Sequence, residues 1–170
     1  HEIANNLQFH FGIGGNYFAE IAKTRAFRVL WNKVLTAFET SVDKLTINAV
    51  TSSLMWSDKQ PKNNMLRATS SAMSAVIGGC DSLTVSPFDS VDSHKESFSE
   101  RIATNLQLIL KEESYLDKVV DPSKGSYFIE NLTAELAEKS WLFFQEIEKN
   151  GGYIKALESG FIQNEIEKSA

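Results

Sequence analysis

The sequence predicts an α/β fold with three parallel strands and their helices, followed by a helical segment. Three observations carry this. Short runs rich in apolar and β-branched residues recur at residues 7–13, 44–51 and 82–86. Each is followed by a stretch whose apolar residues repeat every three or four positions. After residue 121 only the helical period remains. Strands alternating with helices argue for a parallel sheet with right-handed crossovers.

Along Leu7-Gln8-Phe9-His10-Phe11 the side chains alternate, as in a strand. Gly12, Gly14 and Gly15 then permit a tight turn. In the first helix Phe18, Ile21, Ala22, Ala26, Val29, Leu30 and Val34 make one apolar face. KLTINAVT at 44–51 is the second strand. A polar connection with Pro61 follows, and Asn63 is a candidate cap for the next helix. In that helix Met65, Thr69, Ala72, Met73 and Val76 line one face, and Gly78-Gly79 ends it. SLTVS at 82–86 is the third strand. A helix over 97–113 presents Phe98, Ile102, Leu106, Ile109 and Leu110. Asp121-Pro122 and Lys124-Gly125 break the chain. A long helix over 127–150 then turns Ile129, Leu132, Leu136, Phe143, Phe144 and Ile147 inward. Gly151-Gly152 ends it, and two shorter helical pieces flank Ser159-Gly160. The strands read as buried on both faces, so three of them look like part of a (β/α)8 barrel or of a doubly wound sheet. In a barrel, ligands meet the carboxyl ends of the strands.

Composition narrows the function. With 170 residues and 42% hydrophobic content the chain can bury a sizeable core. A net charge of −5 argues against a nucleic-acid or anionic-membrane partner, which calls for clustered Lys and Arg. No apolar run reaches the ~20 residues of a membrane span. The single Cys80 cannot form an internal disulfide, which fits a reducing, cytoplasmic setting. The chain lacks an initiator Met and enters a strand within a few residues, the pattern of an excised fragment.

Residue by residue, the chemistry is sparse. Gly12-Ile13-Gly14-Gly15 could cradle a phosphate, but Phe18 stands where the last fingerprint glycine would fall, so a structural turn is the better reading. His10 could act in acid–base chemistry, yet a histidine between Phe9 and Phe11 reads as a packed sheet residue. His1, His10 and His94 lack partners at ligand spacing, so no metal is expected. Cys80 reads as a buried spectator. Glu112, Glu113, Asp117 and Asp121 could pair as catalytic carboxylates but read as a solvated acidic turn. Lys23, Arg25 and Arg28 give a basic helix face, expected to be spent on salt bridges.

Five ordered blocks are more specific: NYFAEIAKTRAFRVLW, NNMLRATSSAMSAVIGG, FSERIATNLQLILKEES, VVDPSKGSYFIENLTAELAEKSW and EIEKNGGYIKALESG. Together they resemble the methylmalonyl-CoA mutase family over nearly the whole chain. The resemblance implies the last three βα units of that family's TIM (β/α)8 barrel over residues 1–120 and a helical extension over 121–170. It implies adenosylcobalamin as the parent enzyme's cofactor and radical interconversion of succinyl-CoA and methylmalonyl-CoA.

In the family's catalytic subunits the first of these strands carries Arg-x-Ser, where this chain has Asn6-Leu7-Gln8. The second reads His-Cys-Gln-Thr-Ser-Gly, against Asn48-Ala49-Val50-Thr51-Ser52-Ser53 here. The third reads Gln-Ser-Leu-His-Thr-Asn-Ala, against Asp81-Ser82-Leu83-Thr84-Val85-Ser86-Pro87, and a cofactor-side Glu is replaced by Ser90. These positions are expected at the carboxyl ends of strands. The resemblance thus implies a degenerate pocket at Asn6, Gln8, Asn48, Val50, Asp81, Thr84 and Ser90, and no catalytic residue. It points to a non-catalytic small subunit that pairs with a catalytic large subunit and binds no cofactor itself. The alternatives are a catalytic piece acting on another acyl-CoA, or a stand-alone α/β binding module. Exposed strand edges or an apolar inner face are expected to drive self-association.

Overall fold

The computed structural model describes residues 2–42, 44–54, 56–92 and 96–169. A short helix α1 (Glu2–Asn5) leads into β1 (Gln8–Ile13), α2 (Tyr17–Ala37), β2 (Thr46–Thr51), α3 (Asn63–Ile77), β3 (Ser82–Thr84) and α4 (Ser97–Leu108). Helix α4 widens into a π-helical turn at Ile109–Glu113. Then come α5 (Tyr127–Lys149), α6 (Tyr153–Glu158) and α7 (Phe161–Ser169). The three strands form one parallel sheet in the order β1-β2-β3.

The register sets two unlike faces. His10 lies opposite Asn48, and Asn48 opposite Ser82. One face therefore carries Phe9, Phe11, Ile13, Ile47, Ala49 and Leu83; the other carries Gln8, His10, Gly12, Asn48, Val50, Ser82 and Thr84. The first face is covered by helices. Phe9 and Phe11 meet Phe27 of α2 edge to face at 4.7 and 5.0 Å. Ile13 and Ala49 pack on Ala75 of α3. Leu83 joins the cluster of Ala68, Ala72, Val85, Ala103, Leu106 and Leu110 that unites α3 and α4. The second face is open, with Gln8, His10, Val50, Ser82 and Thr84 exposed. The expectation of strands buried on both faces is thus corrected. The physical reason is that every covering helix lies on the same side. The open face is also polar rather than apolar, Val50 being its one large aliphatic side chain.

Helix α2 shows a different stripe to each neighbour. Ile21 and Thr24 approach Gly78 at the end of α3, while Phe18, Arg25 and Lys33 meet Phe128, Glu130 and Trp141 of α5. The order of those contacts makes α5 run alongside α2 in the same direction. Ile129 of α5 is buried, as its period requires. Phe143 and Phe144, read as inward, are exposed instead. They lie past the contact with α2, where Phe143 stacks on Phe161 of α7 at 6.1 Å and Phe144 leans on Trp141 at 5.3 Å.

Several boundaries differ from the sequence reading for local reasons. Strand β3 stops at Thr84 because the Thr51 hydroxyl accepts a hydrogen bond from the Ser86 N–H at 2.8 Å, where a strand pair would use backbone. Asn63 is not a cap; it is already helical, and its side chain donates to Gln60 at 2.7 Å. The capping side chain belongs to Asn16, which accepts from the Ala19 N–H at 3.4 Å. Gly151 and Gly152 take φ of +92° and +87°, the left-handed region glycine enters most easily, and so reverse the chain from α5 into α6.

Candidate functional site

The open sheet face gathers a connected set of polar side chains from all three strands. Asn48 Nδ2 donates to Gln8 Oε1 at 3.3 Å and lies 3.3 Å from His10 Nε2. The Ser82 hydroxyl donates to Asn48 Oδ1. One asparagine thus ties all three strands together on the face the helices leave uncovered. Val50 and Thr84, partners in the register, make the next rung toward the carboxyl end. Strand alternation puts these groups together, since residues of one parity in register share a face.

Of the positions singled out by the sequence, Gln8, Asn48, Val50 and Thr84 come together here. They run the length of the strands, from the first residue of β1 to the last of β3, rather than clustering at the carboxyl ends. Asn6 sits in the turn before β1 and is exposed. Asp81 turns away from the face: it accepts from the Ile47 N–H at 2.9 Å and pairs with Arg28 at 3.1 Å and Lys44 at 3.3 Å. Ser90 lies beyond β3, its N–H donating to the Pro87 carbonyl at 2.9 Å beside a small cleft of about 90 Å³. His10 and Ser82 were not expected in this group. Their parity relative to Gln8 and Asn48 was the available signal. His10 is exposed rather than packed in the sheet, because the flanking Phe9 and Phe11 take the helix side.

The glycine turn is filled from within the protein. Lys23 Nζ donates to the Gly12 carbonyl at 2.7 Å and pairs with Glu20, and the Ser71 hydroxyl donates to the Gly14 carbonyl at 2.7 Å. A Cβ on Gly14 would sit 3.1 Å from Glu20 Oε1. A carboxylate at this helix start repels a phosphate, so the turn is structural.

The remaining candidates resolve as pairings. Arg25 meets Asp121 at 3.1 Å and Glu130 at 2.8 Å. Arg28 donates to the Gly79 and Leu45 carbonyls as well as to Asp81. The basic face of α2 is therefore spent on salt bridges and carbonyls. The acidic residues do not converge: Glu112 pairs with Lys111, Asp117 with Lys118, and Asp121 with Arg25. Cys80 is partly buried, and burial, reinforced by the neighbouring Asp81 carboxylate, pushes its thiol up to about 11. Among the described residues no three His, Cys, Asp or Glu side chains are grouped to hold a metal ion. His1 and His94 lie outside the described residues. No described helix is long and apolar enough to cross a membrane.

The family model described as methylmalonyl-CoA mutase matches residues 1–170. The chain is 45% identical to the methylmalonyl-CoA mutase small subunit of Porphyromonas gingivalis, covering 99% of this chain and 28% of that protein. It is 43% identical to the methylmalonyl-CoA mutase of Rhizobium meliloti, over 99% of this chain and 24% of that protein. It is 38% identical to the methylmalonyl-CoA mutase large subunit of Porphyromonas gingivalis, over 98% and 24%. The chain spans about a quarter of the length of these curated relatives.

Proposed function

Because the chain belongs to the methylmalonyl-CoA mutase family, we propose that it is part of the small subunit of an adenosylcobalamin-dependent mutase and is itself non-catalytic. The whole enzyme would interconvert succinyl-CoA and methylmalonyl-CoA in the cytoplasm, with a catalytic large subunit as partner. Residues 1–120 would form the last three βα units of a (β/α)8 barrel, and residues 121–170 a helical extension. Sequential strand order with α2, α3 and α4 on one face supports the barrel, since a doubly wound sheet needs helices on both faces.

One observation carries the non-catalytic reading. The open face, which would line the barrel interior, holds no arginine or lysine among its described residues. Its central side chain, Asn48, is spent on Gln8, His10 and Ser82. Methylmalonyl-CoA brings phosphates and a free carboxylate, for which a fixed cation is the natural partner. Adenosylcobalamin fits no better. Gly12, Val50 and Thr84 near the strand ends, and Ser90 beyond them, offer it no charged group, and no chemical step is derived through it.

Isothermal titration tests this. The chain is expected to give no binding heat with adenosylcobalamin or with methylmalonyl-CoA, and no mutase turnover alone. Tight, saturable binding of the cofactor would overturn the reading. A second reading, a catalytic piece for another acyl-CoA, is favoured only by His10, whose imidazole is exposed on the open face. Binding of some CoA ester from a panel, lost in His10→Ala, would select it.

A further inference from the structure

Three connections leave the carboxyl ends of the strands, and side chains of α3 reach all of them. The Ser71 hydroxyl donates to the Gly14 carbonyl after β1 at 2.7 Å. Asn64 lies two turns earlier on the same face of the helix and serves the other two. Its Oδ1 accepts from the Ser57 N–H at 3.1 Å, and its Nδ2 donates to the Ser57 carbonyl at 3.0 Å, in the connection after β2. The same Nδ2 donates to the Phe88 carbonyl at 3.0 Å, in the segment after β3. Arg67 Nη1 also donates to Oδ1, at 2.9 Å. The amide is thereby saturated, with both hydrogens given and both lone pairs filled. Asn64 is fully buried, where any of these groups left unpaired is costly.

We propose that Asn64 is a positioning residue that makes the connection after β2 and the segment after β3 move as one body. Both lie on the rim at the carboxyl ends of the strands, and the second carries Ser90. This role is additional to the non-catalytic reading and holds whether or not the rim meets a ligand. The segment after β3 is also tied at its start, where the Ser86 N–H donates to Thr51 Oγ1 at 2.8 Å and the Ser86 hydroxyl to the Thr51 carbonyl at 3.2 Å. Beyond Phe88, Asp89 Oδ2 accepts from the Glu96 N–H at 2.7 Å and closes the turn. Beneath the hydrogen bonds, Trp56 of the first connection packs on the cluster that holds Val85 of the second. A disturbance of either segment is passed to the other through one buried amide.

Hydrogen exchange on the full chain, read by mass spectrometry over residues 52–62 and 85–92, tests the proposal. Phe98 of α4 meets Phe88 edge to face at 6.3 Å, so Phe98→Leu loosens the second segment from outside. Exchange is expected to quicken in both segments, although Phe98 belongs to neither. In Asn64→Ala both segments are expected to exchange about tenfold faster than in the parent, and adding Phe98→Leu then quickens 85–92 alone. Ser71→Ala cuts a bond of the same kind from the same helix and is expected to leave both segments unchanged. Circular dichroism checks that each variant is folded. Asn64→Asp, which keeps the acceptor for Ser57 and Arg67 but has no donor for Phe88, replaces Asn64→Ala if that variant is not. An effect of Phe98→Leu confined to 85–92, or one that still reaches 52–62 in the Asn64 variant, overturns the proposal. So does a quickening of both segments by Ser71→Ala, which would mark a general loosening of α3.

Discussion

The Asp81 carboxylate accepts a hydrogen bond from the Ile47 N–H at 2.9 Å, one residue before β3 begins. It thus closes the amino end of the β2–β3 pair with a side chain, and Arg28 and Lys44 hold it there. Asp81→Ala leaves the Ile47 N–H and the Arg28 guanidinium short of a partner. The expected loss is about 1–3 kcal/mol of stability in urea unfolding. Burial alone would raise this carboxyl, but the Ile47 N–H, Arg28 and Lys44 outweigh it and hold it below the usual range. A depressed carboxylate stabilises the fold above its unfolded value and loses that contribution as pH falls through the folded one. Asp81→Asn should therefore flatten the acid limb of a stability–pH curve.

Arg25 joins the chain before α5 to the body of α2, through Asp121 and Glu130. Arg25→Ala is expected to cost about 1–2 kcal/mol, part from charged hydrogen bonds and part from the packed stem. Glu130 is held below its ordinary range by Arg25 and the Gly125 N–H, so its contribution also fades as pH falls. A double-mutant cycle with Glu130→Gln should show coupling at pH 7 that shrinks toward pH 3. Coupling unchanged by pH would refute the ion pair as its source.

Gly78 and Gly15 should respond oppositely to one added methyl group. A Cβ on Gly78 would lie 3.1 Å from the Ser74 carbonyl oxygen, 3.2 Å from Thr24 Cβ and 3.3 Å from Ile21 Cα. These are packed or backbone atoms that cannot step aside, so Gly78→Ala should cost about 1–3 kcal/mol. At Gly15 a Cβ meets nothing within 4 Å, and Gly15→Ala should stay within about 0.5 kcal/mol of the parent. Thermal melts of the pair give the comparison.

Cys80 should be slow to alkylate. With its thiol raised to about 11, against about 8.5 for a free cysteine, the thiolate fraction at pH 8 falls by about two orders of magnitude. Iodoacetamide labelling in buffer should be slower than in urea by at least that factor. The sign on stability follows: the unfolded thiol gives up its proton first, so stability drops as pH rises from about 8.5 toward 11.

The strands and helices were legible because their periods differ, and the bland readings of the glycine turn and the basic helix face rested on ordinary pairing rules. What was hidden depends on partners distant in sequence. The end of β3 is set by Thr51, 35 residues upstream of Ser86. The outward turn of Phe143 and Phe144 depends on how far α5 overlaps α2. Asp81 looked like a pocket position because its neighbours in sequence do; only its reach to Arg28 and Lys44 shows that it faces the other way. The meeting of Gln8, His10, Asn48 and Ser82 requires the register, which no local pattern contains.

The two unlike faces of the sheet bear on how this sequence can drift. In β1, Phe9, Phe11 and Ile13 are fixed by the helices above them, while Gln8, His10 and Gly12 between them answer to no packed layer. Tolerance to substitution should therefore alternate residue by residue along one strand. A saturation library sorted for folded protein would show a sawtooth through residues 8–13 and 46–51. A sheet packed on one face alone can change every second residue of its strands without unlearning its fold.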